Sequence, residues 1–122
     1  MIIEDLYTYE VREHRENTIE AVIRINENCV VYEGHFPDFP VTPGVCQVLM
    51  IKEILEDELH IRLRLSSAGN IKFTTMHTPA DARMIEAKIS YVKDGNNYKT
   101  NGLLFQGDNI YLRFKGEFDR RI

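Results

Sequence analysis

The spacing of apolar and polar positions changes period once along the chain, and that change separates an opening hairpin, a helix and a run of strands. "LYTYEVREH" and "TIEAVIRIN" are rich in β-branched and aromatic residues, and the polar "REN" between them suits a hairpin turn. Helical spacing takes over from about Gly44 to Leu59, with Val48, Ile51, Ile54 and Leu55 on the side expected to face the core. "HIRLRL" then alternates, placing Ile61, Leu63 and Leu65 on one face and His60, Arg62 and Arg64 on the other. "AGNIKFTTMHT", "ARMIEAKISYV", "YKTNGLLFQ" and "IYLRFKGEF" read as further strands, with "KDGNN" and "QGDN" as turns. The pattern predicts an α+β domain, an antiparallel sheet of about six strands with one long helix inserted early. One helix cannot cover both faces of such a sheet, so the sheet is expected to curl around it. An exposed edge or face invites a partner subunit, and a homodimer is expected.

Length and charge narrow the picture. The 122 residues fit a single domain spanning 1–122. A formal charge of −4, with Lys and Arg interspersed among Asp and Glu, offers no broad basic surface for a nucleic acid backbone. The uncharged stretch from Phe39 to Ile51 is too short to span a bilayer, and "MIIEDLYTYE" has neither a basic lead nor an apolar signal core, so no membrane segment and a cytoplasmic setting are expected. Cys29 and Cys46 are too few for a disulfide framework and have no metal-ligand spacing, so they read as buried reduced thiols. No metal or cofactor is expected.

Candidate chemistry concentrates in "YEGHFPDFPVTPGVCQVLMIKEILED", residues Tyr32 to Asp57. Pro37, Pro40 and Pro43 fix φ at three places, so His35 sits in backbone that loses little entropy on ordering. In "TPG", Thr42 can cap a helix, Pro43 suits its first turn, and Gly44 leaves its N–H open to close approach. Orphan N–H groups at a helix start carry partial positive charge, which suits a carbonyl oxygen gaining negative charge. A base titrating near neutral pH at His35 and a donor at Gly44 are what proton removal beside a thioester carbonyl needs. The alternative is a His35 that packs its ring under Phe36 and Phe39 and bonds to backbone.

"GHFPDFPVTPGV" resembles the hallmark loop of the FabA and FabZ type 3-hydroxyacyl-[acyl carrier protein] dehydratases, GHFPxxPxxPG, which leads into the long helix of a hot-dog fold. "KFTTMHTPAD", Lys72 to Asp81, is similar to that family's KFxxxVxPGD segment, with Ala80 where Gly is usual. The order of hairpin, loop, helix and strands also agrees, so the resemblance covers nearly the whole chain. It implies that His35 takes the α-proton of a 3-hydroxyacyl thioester while the Gly44 N–H binds the thioester carbonyl. It also implies that Phe36, Pro43, Val45, Gln47 and Leu49 line the acyl site.

The family's helix carboxylate, which the other subunit of the dimer contributes to protonate the departing hydroxyl, falls at Leu49. A leucine donates no proton. Glu53 lies one turn further and about 40° round the helix, which makes it a substitute acid; its alternative is a solvated helix charge. Gln47 could orient a water or the substrate, and Tyr32 and Glu33 are left unassigned. His14, His60 and His77 have no partners at metal spacing and read as surface or satisfied core histidines. A carrier protein is typically acidic, so docking needs a local basic patch, for which Arg62 and Arg64, with Lys72, are candidates beside the plain reading of a polar strand face.

The resemblance implies reversible dehydration of a 3-hydroxyacyl thioester to a 2-enoyl thioester on an acyl carrier protein, by a homodimer or higher homo-oligomer. Two rivals stand beside it. One is a hot-dog thioesterase in which His35 activates water. The other is a noncatalytic acyl-carrier-binding chain, working in a hetero-oligomer with a second hot-dog subunit.

Overall fold

The computed structural model describes residues 5–34 and 41–121. Six strands form one antiparallel sheet: β1 (Tyr7–Arg15), β2 (Thr18–Ile25), β3 (Leu63–Phe73), β4 (Met84–Asp94), β5 (Asn97–Gln106) and β6 (Asn109–Arg120), in the spatial order β1-β2-β4-β5-β6-β3. Three two-residue turns make the hairpins, closing Arg15 on Thr18, Asp94 on Asn97 and Gln106 on Asn109. Between β2 and β3 come a single turn, α1 (Val31–Gly34), and the long helix α2 (Gly44–Leu59). The bounds of α2 agree with the helical spacing. The short α1 has no periodic signature and was not predicted.

Strand alternation explains where the core lies. β2 buries Ile19, Ala21, Ile23 and Ile25, and β4 buries Ile85, Ala87 and Ile89, every second residue in each case. Leu104, Leu112, Phe114 and Phe118 continue that layer, and Met50, Ile51, Ile54 and Leu55 of α2 pack against it. Val48 is only partly buried at its margin. Gly102 of β5 lets the helix come close, because a Cβ there would lie 3.0 Å from Ile51 Cδ1.

At the opposite edge, β1 reaches α2 through polar side chains. The Tyr7 hydroxyl donates to Glu53 Oε1 at 2.8 Å, the Tyr9 hydroxyl donates to Asp57 Oδ2 at 2.6 Å, and His14 Nδ1 meets Glu58 Oε1 at 2.9 Å. Asp57 and Glu58 lie in the last turn of α2 and face the negative end of its dipole, and their bonds offset that repulsion. Burial, then the bond to Glu53, raises the Tyr7 hydroxyl well above the usual tyrosine range, so it stays a donor.

One strand departs from the sequence pattern. "HIRLRL" and the start of "AGNIKFTTMHT" form a single strand, β3, of eleven residues. It pairs with β6 alone and carries register shifts between Leu65 and Ser67 and between Ala68 and Asn70. The shifts break strict alternation beyond Leu65; Leu65 itself lies opposite buried Phe118, yet on this edge strand it is 39% exposed. Ile61 precedes the strand, its N–H donating to Glu56 O at the end of the helix, and His60 is the left-handed C-cap rather than a strand residue. Cys29 and Cys46 are both buried and are not joined in a disulfide.

Candidate functional site

The start of α2 is built around a proline and a glycine. Pro43 occupies the N-cap position, and its carbonyl accepts from the N–H of Cys46 at 3.0 Å and of Gln47 at 3.2 Å. Among the described residues the N–H groups of Gly44 and Val45 have no backbone acceptor, as expected for the first turn of a helix. Gly44 is backed by the ring of Phe73, the last residue of β3. A Cβ on Gly44 would stand 2.5 Å from Phe73 Cζ. A side chain at this position would have to push the ring aside, and in place the ring walls one side of a helix N-terminus that carries partial positive charge. Gly44→Ala is expected to displace the half-exposed Phe73 ring with little loss of stability and to lower activity. Phe73→Ala in the same chain is expected to recover part of that loss, measured by steady-state kinetics.

Thr42 does not cap the helix, contrary to expectation; no side chain does. Its hydroxyl is engaged elsewhere, 2.8 Å from the Tyr32 hydroxyl and 2.7 Å from His77 Nδ1. Its N–H donates to the His77 carbonyl at 2.8 Å, and its carbonyl accepts from Gln47 Nε2 at 3.2 Å. The Oε1 of buried Gln47 has no partner among the described residues.

His77 is a satisfied core histidine. Its Nε2 lies 2.7 Å from the carbonyl oxygen of Ala82, and its ring meets Tyr111 edge-on at 4.9 Å between centroids. Burial pushes its pKa below the ordinary 6.5, although the Ala82 carbonyl and Asp81 favour the cation. The unfolded chain therefore binds this proton first as pH falls. The stability due to neutral His77 is complete above pH 6.5 and is lost below it, down to the folded-state value. Denaturant titrations are expected to show this slope in the wild type and a shallower one in His77→Gln.

The other residues singled out in the sequence are dispersed. His35 and Phe36, with Pro37 and Pro40, lie outside the described residues. Pro43 and Leu49 are half-buried, Gln47 is buried and Val45 is exposed. Glu53 stands nine residues beyond Gly44, about 13 Å along the helix axis, held by Tyr7. The basic candidates separate as well: Arg64 pairs with Asp119 at 3.2 Å, and Arg62 is exposed ahead of β3. Lys72 instead joins Lys88, Arg113 and Lys115 around a cavity of about 360 Å³ on the outer face of the sheet. The pairing explains this, since Lys72, Arg113, Leu103 and Lys88 lie opposite one another across four strands. Among the described residues none of these four cations has an ion-pair partner.

Sequence reasoning gave no role to Phe73, Tyr32 or His77 and misread Thr42. One signal was present: His77 stands where the KFxxxVxPGD pattern has valine.

A helix N-terminus opened by glycine, set against a six-stranded antiparallel sheet, defines a hot-dog domain of the FabA/FabZ-like dehydratase kind. The model of the ApeI-like family, described as ApeI dehydratase, matches residues 11–108, and the chain belongs to that family. The 3-hydroxyacyl-[acyl-carrier-protein] dehydratase FabZ of Natranaerobius thermophilus is 27% identical over 99 residues, covering 75% of this chain and 68% of the relative. FabZ of Lactococcus lactis subsp. cremoris is 30% identical over 81 residues, covering 61% of this chain and 56% of the relative, so the matched stretch spans little more than half of that enzyme. Among solved structures, the dehydratase heterocomplex ApeI:P of Xenorhabdus doucetiae aligns with a TM-score of 0.74 at 18% identity, over 97% of this chain and 100% of the other. That likeness shows the fold. No helix among the described residues is long and apolar enough to cross a membrane.

Proposed function

We propose that the protein dehydrates a 3-hydroxyacyl thioester to the 2-enoyl thioester, with the acyl group held on acyl carrier protein throughout. The observation that carries this reading is the start of α2, where the N–H groups of Gly44, backed by Phe73, and Val45 have no backbone acceptor among the described residues, at the end of the GHFPDFPVTPG motif. In the reading, a Gly44 N–H binds the thioester oxygen as it gains charge, and His35 takes the α-proton. The electron pair of the broken C–H bond forms the double bond, and the C–O bond to the 3-hydroxyl breaks. The oxygen leaves as water after receiving a proton from an acid, so the net loss is one water. Pro43, Val45, Gln47 and Leu49, with Phe36, line the acyl site.

Leu49 cannot be that acid. Glu53 is bound to Tyr7 about 13 Å from Gly44 along the axis, so it serves only if a second subunit presents it. In this reading the protein acts as a dimer or larger assembly, in the cytoplasm. Leu49 also favours a second reading, in which another hot-dog chain supplies the acid in a hetero-oligomer; the neighbour from Xenorhabdus doucetiae is itself a heterocomplex. Carrier docking falls to Lys72 with Lys88, Arg113 and Lys115.

The test is incubation with a medium-chain 3-hydroxyacyl carrier-protein thioester, following enoyl product and free thiol by mass spectrometry. Enoyl product supports the dehydratase, and thiol release would move the assignment to a thioesterase using His35 to activate water. Binding without turnover by the isolated chain points to the hetero-oligomer.

A further inference from the structure

The proposed chemistry makes no use of the buried chain from Tyr32 through Thr42 to His77. Tyr32 lies in α1 and Thr42 two residues before α2, so the bond between their hydroxyls joins the two ends of the stretch that includes position 35. His77 comes from the distant connection between β3 and β4 and grips Thr42 twice, at its hydroxyl and at its N–H. All three residues are 5% exposed or less.

Only one direction of donation fits. The Ala82 carbonyl only accepts, so His77 Nε2 carries the proton and Nδ1 of the neutral ring accepts from the Thr42 hydroxyl. The Thr42 oxygen then accepts from the Tyr32 hydroxyl, whose own pKa burial pushes up to about 12, keeping it protonated. A protonated His77 would donate from Nδ1, turn the Thr42 proton toward Tyr32 and leave a buried Tyr32 proton without this acceptor. The groups facing His77 are Tyr111 from β6, Asp81 and the Ala82 carbonyl from its own connection, and Thr42 and Tyr32, the last with Cys29 and Cys46 nearby. Asp81 is the charged member of that set.

We propose, resting on the dehydratase reading, that His77 is a positioning residue: through Thr42 and Tyr32 it holds by both ends the stretch that carries the proposed base. The KFxxxVxPGD pattern has valine at this position, so the resemblance does not supply the grip.

The test compares the wild-type full chain with Thr42→Val, Thr42→Ser, His77→Val and His77→Gln, reading amide hydrogen exchange and turnover. Thr42→Val and His77→Val are expected to raise exchange at Tyr32, Glu33 and Thr42 by about tenfold or more, a loss of about 1.4 kcal/mol in local protection. Ile19–Ile25 and Ile85–Ile89 should stay as in the wild type, and Thr42→Ser, which keeps the hydroxyl, should exchange like the wild type. In turnover, Thr42→Val should lower kcat with KM little changed, and His77→Gln should shift the acid limb of the pH–rate profile. Unchanged exchange, or exchange raised equally in every strand, overturns the proposal, as does local loosening with kcat and pH profile intact. Local loosening in the variants alongside a wild type without enoyl formation sinks the dehydratase reading instead, while leaving the grip in place.

Discussion

His35→Ala is expected to lower the rate of enoyl formation by roughly 10²–10⁴-fold, the usual worth of a positioned general base. Its KM should change much less, because the Gly44 N–H and the residues proposed to line the acyl site remain. Leu49→Glu tests the other half of the chemistry. Where the second subunit's Glu53 already provides the acid, a carboxylate at position 49 adds little or crowds the half-buried site. Where the acid belongs to a different chain, the isolated wild type turns over slowly or not at all, and Leu49→Glu raises its rate. Single-turnover assays of wild type, His35→Ala, Leu49→Glu and Glu53→Gln separate these cases. A His35→Ala protein as active as the wild type would remove the base from the mechanism.

The largest effect on stability is expected from Phe118→Ala. Phe118 of β6 is fully buried, stacked on Phe114 with ring centroids 5.6 Å apart, in the layer that faces α2. Truncation removes the transfer energy of the ring and leaves a cavity that strands held in a hydrogen-bonded ladder cannot close. The cost is about 3–5 kcal/mol, set against a total of about 5–15 kcal/mol for a domain of ordinary stability. Chemical denaturation should show a lower midpoint at an unchanged m-value. An effect under about 1 kcal/mol would mean that this layer repacks freely.

How much was legible depended on how local the cause was. The helix from Gly44 to Leu59 and the three hairpin turns were readable because spacing and turn chemistry act within a few residues. The union of "HIRLRL" with "AGNIKF" into one strand was not, because its register is set by pairing with β6, some fifty residues away. Thr42 shows the same limit at the site. Its local preference is to cap a helix, yet its hydroxyl meets His77 thirty-five residues on, and two buried hydrogen bonds outweigh one exposed cap. By sequence Lys72 belongs to a stripe with Arg62 and Arg64, whereas its basic neighbours in space lie across strands β4 and β6.

By itself, then, the sequence determined the alternation that buries one face of the sheet, the helix that fills it, and the proline- and glycine-marked stretch with a histidine at its start. Each follows from dihedral preference or periodicity, which neighbouring residues settle among themselves. Only the tertiary structure decided that Phe73 backs Gly44, that His77 holds Thr42, that Tyr7 engages Glu53, and that four cations gather on the outer face. Those are contacts between distant parts of the chain, and their geometry exists only once sheet order and register bring the strands together.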